Sequence, residues 1–479
     1  MFERARVRTL DPRHPHADAV AVRGGRIAAI GSRRAAREAA GPQAEIVDCQ
    51  GAVLLPGLID PHLHLFALAA RHLHLDCGGF PDVGGLLAAV RARAATLPPG
   101  AWVRGEGLDE TRLGRLPTAA ELDAAAPRQP VRLRHRSRHA SVLNGRALRR
   151  LGPQPGIERV GGRPSGLVSE REEAIGRVVG PLPASALREG FARTAAELAA
   201  RGLTAVGDAT PHARSALAPL VEAMAAGEFP LRVQAMRPLG ARRWPAAGRL
   251  SCGPVKIMVH ETTSGLRPRA ATLARRIAAA ARAGDRVAVH CVGAATLVAA
   301  VAAFAVLPGR GRGHRLEHVG ECPPPLVAAI ARLGLTVVTN PAFVHWRGDA
   351  YCDETTGAAR EWLYRAASLA AVGVALAGAS DAPVAPADPW DGIAAARTRR
   401  TRAGHELGTA ERLSAAAALD LFTQGAARAM GTGRLGRLVR GAPADLVVVE
   451  PDPLRASPDE VRATRVRFAM VAGAMTWAG

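Results

Sequence analysis

The segment Gly57-Leu58-Ile59-Asp60-Pro61-His62-Leu63-His64 directly follows an apolar run, Val53-Leu54-Leu55, that is typical of a buried strand. Side chains alternate between the two faces of a strand, so His62 and His64 point the same way, about 7 Å apart. Imidazole is a common zinc ligand, and such a pair can bind or flank one metal ion. A surface or loop position would explain the same pair, so the rest of the chain has to decide between the two interpretations.

In the centre of the chain, short apolar strands alternate with alanine-rich helical segments, which is typical of βα units and a parallel sheet. The clearest helical segments are 270–283, 294–303, 326–333 and 361–371. Eight such units predict an α/β fold, a (β/α)8 barrel whose active site lies at the carboxyl ends of the strands. The predicted strands are 57–64, 203–208, 231–236, 255–260, 286–290, 315–319, 335–340 and 374–381.

Both ends of the chain are rich in short β-type runs, such as 19–22 and 26–31 near the start and 444–450 and 466–473 near the end. We therefore predict a discontinuous β-sandwich domain, formed by residues 1–56 and 430–479, around a barrel at 57–429. A helix is expected within the first part only at 33–40. The stretch between the first two barrel strands, about 66–200, is too long for one crossover and predicts an inserted lid subdomain over the barrel mouth.

Composition limits the class of protein. The chain has 479 residues, 48% of them hydrophobic, which is enough for a large buried core. No window approaches a run of roughly 18 uncharged apolar residues, and the N-terminus lacks the apolar segment of a signal peptide. The six cysteines contain no Cys-x-x-Cys pair and are expected to be free thiols. These features predict a cytoplasmic protein without a membrane partner.

The net charge of +21 raises nucleic acid as a partner. The arginines, however, are spread along the chain, and the local clusters at 132–138 and 397–402 are not interleaved with aromatic residues. Stacking on single strands requires aromatic side chains, which make up only 4% of this chain. The sequence therefore argues against nucleic-acid binding as the main function.

One basic residue stands apart, because Lys256 is the only lysine among the 63 lysines and arginines. A surface charge or a salt bridge would tolerate arginine at this position. Only a primary amine can form a Schiff base, act as a neutral base or react with carbon dioxide to give a carbamate. The chemistry at position 256 is therefore expected to require an amine.

Ligand-type residues coincide with the predicted strands near their carboxyl ends. Taken singly, each has another explanation: His290 suits a packed core, His318 a surface pair with Glu317, and Asp381 a helix cap. Together with the lone lysine they predict a metal site. The candidate residues are His62, His64, Lys256, His290, His318 and Asp381.

The order of these residues resembles the amidohydrolase superfamily, and most closely its N-substituted formamide deformylase-like branch, amidohydrolase family 3. Further stretches carry the likeness, namely 116–123, His139 with Asn144, and 441–448. The resemblance covers nearly the whole chain. It implies an enzyme, a metal-dependent hydrolase of carbon–nitrogen bonds other than peptide bonds, with one or two zinc ions or another divalent metal.

The resemblance also implies roles for single residues. Asp381 would take a proton from a metal-activated water and pass it to the leaving nitrogen, and Lys256, as a carbamate, would bridge two metals. The implied ligand sets are His62, His64 and Asp381 for one metal and His290 and His318 for the other.

Three further residues are candidates for substrate binding. The likeness implies that His139 and Asn144 reach the substrate, although a loop pair that packs the lid explains them equally well. His260 shares the alternation of Lys256 and Met258 in the predicted strand 255–260, so it is expected to face the barrel interior near the metals.

The leading function is hydrolysis of a small amide, an N-acyl or N-formyl compound. The alternatives are a deaminase or cyclic-amide hydrolase on the same scaffold and, in a different class, a non-catalytic binding protein. A small-molecule substrate is the expected partner, and a homo-oligomer remains open.

Overall fold

The computed structural model describes residues 1–137, 139–263, 265–309 and 311–479. Arg138, which ends the arginine cluster at 132–138, lies outside the described residues. The described chain forms two compact units. The first comprises Met1–Leu65 together with Ala195–Gly479, and the second comprises Phe66–Thr194.

Eight parallel strands form the largest sheet of the first unit and follow one another in chain order. Each pairs in parallel with its neighbour, and most of their residues are buried, as expected for strands covered on both faces. The predicted (β/α)8 barrel is confirmed. The strands are Leu58–Leu63, Leu203–Asp208, Arg232–Arg237, Leu250–Ile257, Val287–Cys291, Arg315–His318, Thr336–Thr339 and Ala375–Gly378.

The first and eighth barrel strands meet at a seam that is held by a buried carboxylate. The side chain of Asp60 accepts hydrogen bonds from the main-chain N–H groups of His62 at 3.1 Å and Ser380 at 3.2 Å. Beyond the eighth strand, the N–H of Asp381 donates to the carbonyl of His62 at 2.9 Å. Burial raises the pKa of Asp60 to about 6. The seam therefore brings the predicted ligands of the first and last strands side by side.

The fourth barrel strand differs from its prediction at 255–260. It begins earlier, at Leu250, and ends at Ile257, which makes the last pairing with the fifth strand. The chain then leaves the barrel at the exposed Met258 and forms a separate hairpin of His260–Thr262 and Gly265–Arg267. The prediction that His260 continues the alternation of Lys256 is therefore wrong, because the two residues lie in different strands.

Helices follow most of the barrel strands, although residues 238–249, between the third and fourth strands, form none. The helices predicted at 270–283, 294–303 and 326–333 are observed within about two residues. The segment 361–371 is not one helix but two, because an irregular stretch interrupts it. There the guanidinium of Arg399 donates to the carbonyls of Leu363 and Tyr364 at 2.8 and 3.1 Å. The helices are Ala184–Ala200, Ala218–Ala225, Ala270–Arg282, Ala294–Ala305, Pro324–Leu333, Pro341–Trp346, Gly348–Glu354, Ala358–Glu361, Ala366–Ala371, Pro389–Thr398, Ala415–Leu421, Gln424–Met430 and Pro458–Arg462.

Two further sheets of the first unit combine both ends of the chain. Phe2 and Ile27 of one sheet share a core with Leu54 and Leu446 of the other. The predicted helix is observed at Arg33–Ala40. The sheets share the barrel's compact unit, so a separate domain bounded at 1–56 and 430–479 stays a prediction. Their strands, in sheet order, are Arg26–Gly31, Ala19–Arg23, Phe2–Glu3 and Val47–Asp48, then Ala474–Ala478, Arg465–Val471, Leu446–Glu450, Val53–Pro56, Arg6–Arg8 and His16–Ala17.

The second unit has a six-stranded sheet with its own core, in which Leu86, Val90, Leu122 and Leu133 are fully buried. Its action as a lid stays a prediction. The strands, in sheet order, are Ile157–Val160, Arg163–Ser169, Ala140–Leu143, Val131–His135, Val103–Leu108 and Leu75–Asp76. The helices are Leu65–Arg71, Val83–Ala95, Glu110–Leu113, Ala119–Ala125, Gly145–Leu151 and Glu172–Val179.

Two expectations from composition can be compared with the described residues. In that part of the chain, no helix combines the length and the apolar character needed to cross a bilayer. All six cysteines are described and free, and four of them are buried.

Candidate metal centre

Three side chains at the carboxyl end of the barrel converge on one point. Ligand atoms of His62, His318 and Asp381 lie within 4.8 Å of one another, and all three residues are buried. Oδ1 of Asp381 lies 3.4 Å from Nε2 of His62 and 3.2 Å from Nε2 of His64. The His-x-His pair of the first strand therefore faces the aspartate that follows the eighth.

Each of these three imidazoles is oriented through its other nitrogen. Nδ1 of His64 lies 2.8 Å from Oγ1 of Thr210, and Nδ1 of His318 lies 2.8 Å from Oδ1 of Asn340. The amide nitrogen of Asn340 in turn donates to the carbonyl of Ala379 at 3.1 Å, which fixes its oxygen towards His318. Such partners set the tautomer and the ring orientation of a metal-binding histidine.

Glu317 orients His62 through a hydrogen bond with Nδ1. Both oxygens of Glu317 also accept hydrogen bonds from the guanidinium of Arg315, at 2.7 and 2.8 Å. Burial opposes ionisation of Glu317, but Arg315 and His62 together outweigh it and hold the pKa well below its usual value. Glu317 is therefore a carboxylate that contacts Nδ1 of His62, and this contact turns Nε2 of the ring towards Asp381.

These orienting residues were not predicted from the sequence. Glu317 was interpreted only as a surface partner of His318, whereas in the structure it is fully buried. One signal was available, because Arg315 and Glu317 place opposite charges at alternate positions of a strand that should be buried. Thr210 and Asn340 carry no such signal, since each acts across strands on a residue far away in the chain.

Lys256 extends from the fourth strand into the same group. Its Nζ lies 3.4 Å from Nε2 of His62, and only 5% of the residue is exposed. Burial lowers the pKa of the Lys256 amine, against the opposing effect of Glu317 and Asp381.

His290 and His260 extend the row of imidazoles. The ring of His290 lies 4.5 Å from that of His318 and 5.4 Å from that of His260, measured between centroids. Burial, with a contribution from His318, lowers the pKa of His290 to about 2, and burial lowers that of His318 to about 3. All six predicted ligands are thus linked by direct neighbour contacts within the first unit, and His260, although exposed, lies at the end of the row.

The two remaining candidates belong to the second unit. Asn144 is fully buried, and its side-chain oxygen accepts hydrogen bonds from the N–H groups of Val131 and Ala147, both at 3.0 Å. The second of these bonds caps a helix. The side chain of His139 is 71% exposed, with Nδ1 3.4 Å from Glu170. A substrate contact by His139 or Asn144 stays a prediction.

The side chains present fit a bound metal ion. Oδ1 of Asp381 is buried and has no hydrogen-bond partner in the described chain. It lies 3.4 Å from Nε2 of His62 and 3.2 Å from Nε2 of His64. A cation among these three atoms would be bound by all of them. Imidazole nitrogen with carboxylate oxygen is a donor set that zinc accepts.

Comparison with known sequences identifies the family. The model of the amidohydrolase family matches residues 45–476. The chain belongs to the amidohydrolase family. This amidohydrolase is 30% identical to the N-substituted formamide deformylase of Arthrobacter pascens, over 100% of this chain and 98% of that protein. The resemblance drawn from the motifs is confirmed.

Solved structures are similar in fold. An uncharacterized metal-dependent hydrolase from Pyrococcus horikoshii OT3 matches this amidohydrolase with a TM-score of 0.83 at 23% identity, over 96% of this chain and 98% of that one. A second such hydrolase, from Pyrococcus furiosus, gives a TM-score of 0.80 at 24% identity, over 95% and 99% of the two chains. At these identities the likeness concerns the fold, and it supports the barrel architecture along nearly the whole chain.

Proposed function

We propose that this protein is a metal-dependent hydrolase that cleaves the carbon–nitrogen bond of a small amide, an N-formyl or other N-acyl compound. The observation that carries the proposal is the group formed by Lys256, His62 and the unpartnered oxygen of Asp381. The similarity to a formamide deformylase supports an acyl group as small as formyl.

Zinc is the metal we propose, in one or two sites. The donor chemistry supports His62, His64 and Asp381 as ligands of one ion, because their ligand atoms already face each other. His290 and His318 are the proposed ligands of a second ion. Lys256, carboxylated on Nζ, is the proposed bridge, since it lies beside His62 and is the only side-chain amine of the protein.

Bound zinc would supply a Lewis acid that polarises the amide carbonyl and acidifies a water molecule. The chain's own residues carry out the proton transfers. Asp381 accepts the proton of the attacking water on its carboxylate and returns it to the nitrogen of the leaving amine. Glu317, Thr210 and Asn340 hold the imidazole rings in orientation and do not contact the reacting atoms.

The six free cysteines support a further proposal, a reducing compartment such as the cytoplasm.

A product assay on the metal-loaded protein tests the function. Zinc-loaded protein is incubated with a panel of N-formyl and N-acetyl amines, and the released acid, primary amine and ammonia are measured separately. We expect the acid and the amine in equal amounts and only from metal-loaded protein. Ammonia as the main product would indicate a deaminase, and full activity of metal-free protein would overturn the proposal.

A further inference from the structure

The two tyrosines of the chain form one pair. Their hydroxyl oxygens, in Tyr351 and Tyr364, lie 3.0 Å apart, and their ring centroids lie 5.9 Å apart. The chain contains two tyrosines in 479 residues, and aromatic residues make up 4% of it. These two rare residues are close in sequence and in space, and together they supply a pair of adjacent phenol groups.

Tyr364 is held in place from several sides. Its φ angle is 46°, a left-handed conformation that is unusual for a bulky residue and persists only where the surroundings determine it. Its N–H donates to the carbonyl of Gly320 at 2.8 Å, two residues after His318. Its carbonyl accepts a hydrogen bond from the buried guanidinium of Arg399 at 3.1 Å. The tyrosine pair is thus anchored to the loop that follows the sixth barrel strand.

A positively charged side chain, that of Arg347, packs against the tyrosine pair. Its guanidinium carbon lies 5.9 Å from the ring centroid of Phe343 and 5.8 Å from that of Tyr351. Two aromatic neighbours restrict the orientation of a guanidinium, and its five N–H donors exceed what one contact with the Tyr351 hydroxyl can use. Among the described residues, Arg347 forms no ion pair with a carboxylate, and it is exposed. The cation is therefore oriented by its neighbours but is not neutralised by them.

Arg347 and Tyr351 follow, in the chain, a residue that orients a proposed metal ligand. The helix Pro341–Trp346 begins directly after Asn340, whose side chain orients His318. Arg347 follows that helix at once, and Tyr351 lies in the next helix, Gly348–Glu354. Arg347 and Tyr351 therefore belong to the segment beyond the carboxyl end of the seventh strand, where the active sites of barrel enzymes lie.

We propose that Arg347 and the hydroxyl of Tyr351 form a carboxylate-binding subsite, so that the preferred substrate is an amide that carries an acidic group. A guanidinium binds a carboxylate through charge-assisted hydrogen bonds, and a phenol adds one further donor. Tyr364 acts behind them as a positioning residue, because its hydroxyl contacts that of Tyr351. This inference rests on the proposed amide hydrolysis, whose product assay it does not replace.

Turnover of matched compounds tests the subsite. N-formylphenylalanine and N-formylphenethylamine differ by one carboxylate, and both are assayed with the zinc-loaded protein. We expect kcat/KM to be about tenfold or more higher for the acid, the size of one charged hydrogen bond. Arg347→Ala should remove this preference by raising KM for the acid much more than KM for the neutral amide. Equal kcat/KM values for the two compounds, or an equal loss for both in the variant, would overturn the subsite.

A matched control and a binding measurement complete the test. Arg402 also stacks on an aromatic ring, with its guanidinium carbon 4.8 Å from the centroid of Trp346, so Arg402→Ala should keep the preference. Tyr364→Phe should weaken binding of the acid less than Arg347→Ala does. Calorimetry with the N-methanesulfonyl analogues, which cannot be hydrolysed, measures the subsite without turnover. If the zinc-loaded protein turns over neither amide but binds the acidic analogue in an Arg347-dependent way, the proposed function is rejected and the subsite is kept. If the two analogues bind equally or not at all, the subsite is rejected.

Discussion

Nζ of Lys256 lies 3.4 Å from Nε2 of His62. The only lysine of an arginine-rich chain thus lies in direct contact with the first histidine of the His-x-His motif. An arginine at this position would retain the positive charge but would replace a compact amine with a planar group that cannot form a carbamate. The pairing explains why a chain that uses arginine everywhere else keeps lysine here.

The first prediction concerns this amine. Lys256→Arg should lower kcat/KM by about 100-fold or more, because the variant cannot supply the bridging carbamate. Steady-state assays with an N-formyl amide measure the effect, and circular dichroism with thermal unfolding checks that the barrel still forms. A folded variant with normal activity would show that Lys256 is not a ligand.

A second prediction concerns the hydroxyl that orients His64. Thr210→Val keeps the shape of the side chain and removes the partner of Nδ1, so zinc affinity should fall by about 10- to 100-fold. Competition with a zinc-binding dye measures the affinity. Thr398→Val is the control, because the hydroxyl of Thr398 donates to the carbonyl of Ala394, accepts from the N–H of Arg400 and bonds to none of the proposed ligands. Unchanged zinc affinity in Thr210→Val would show that this contact does not orient a ligand.

The buried ion pair behind His62 gives a third prediction. Glu317→Gln leaves the guanidinium of Arg315 without its carboxylate in the barrel interior, and this should cost about 3–5 kcal/mol in the free energy of unfolding. Urea denaturation of the metal-free protein measures the loss separately from any change in metal affinity. Glu38→Gln, at an exposed pair with Arg34, should change the free energy by about 1 kcal/mol or less. Equal free energies of unfolding for the two variants would show that the buried pair of Arg315 and Glu317 does not stabilise the fold.

Metal removal gives the fourth prediction. Dialysis against a chelator should abolish amide hydrolysis and lower the melting temperature, because an ion that binds only the folded state stabilises it. Zinc added back should restore both properties, and calorimetric scans together with metal analysis would follow them. Activity that survives complete removal of metal would contradict the proposed chemistry.

The sequence was sufficient to predict the barrel, because its eight apolar strands and the helices between them carry strong periodic signals. It also placed His62, Lys256 and Asp381 near the carboxyl ends of strands. It did not predict that Thr210 would orient His64, since that contact depends on how two strands are staggered. The end of the fourth strand was mispredicted for a related reason, because alternation along a strand gives no indication of the residue at which pairing with its neighbour ends. The ring of His260 nevertheless lies 5.4 Å from that of His290.

The seam between the first and eighth strands affects how the protein matures. Asp60 and Ser380 are separated by 320 positions in the chain, and the proposed ligands His62 and Asp381 flank the same junction. A nascent chain that has not yet reached the eighth strand can present the His-x-His pair but not the complete site. Metal bound by both sides would stabilise only chains that have closed the ring, and incomplete or misfolded chains would remain without this contribution. Acquisition of the metal would then coincide with the last long-range contact of folding.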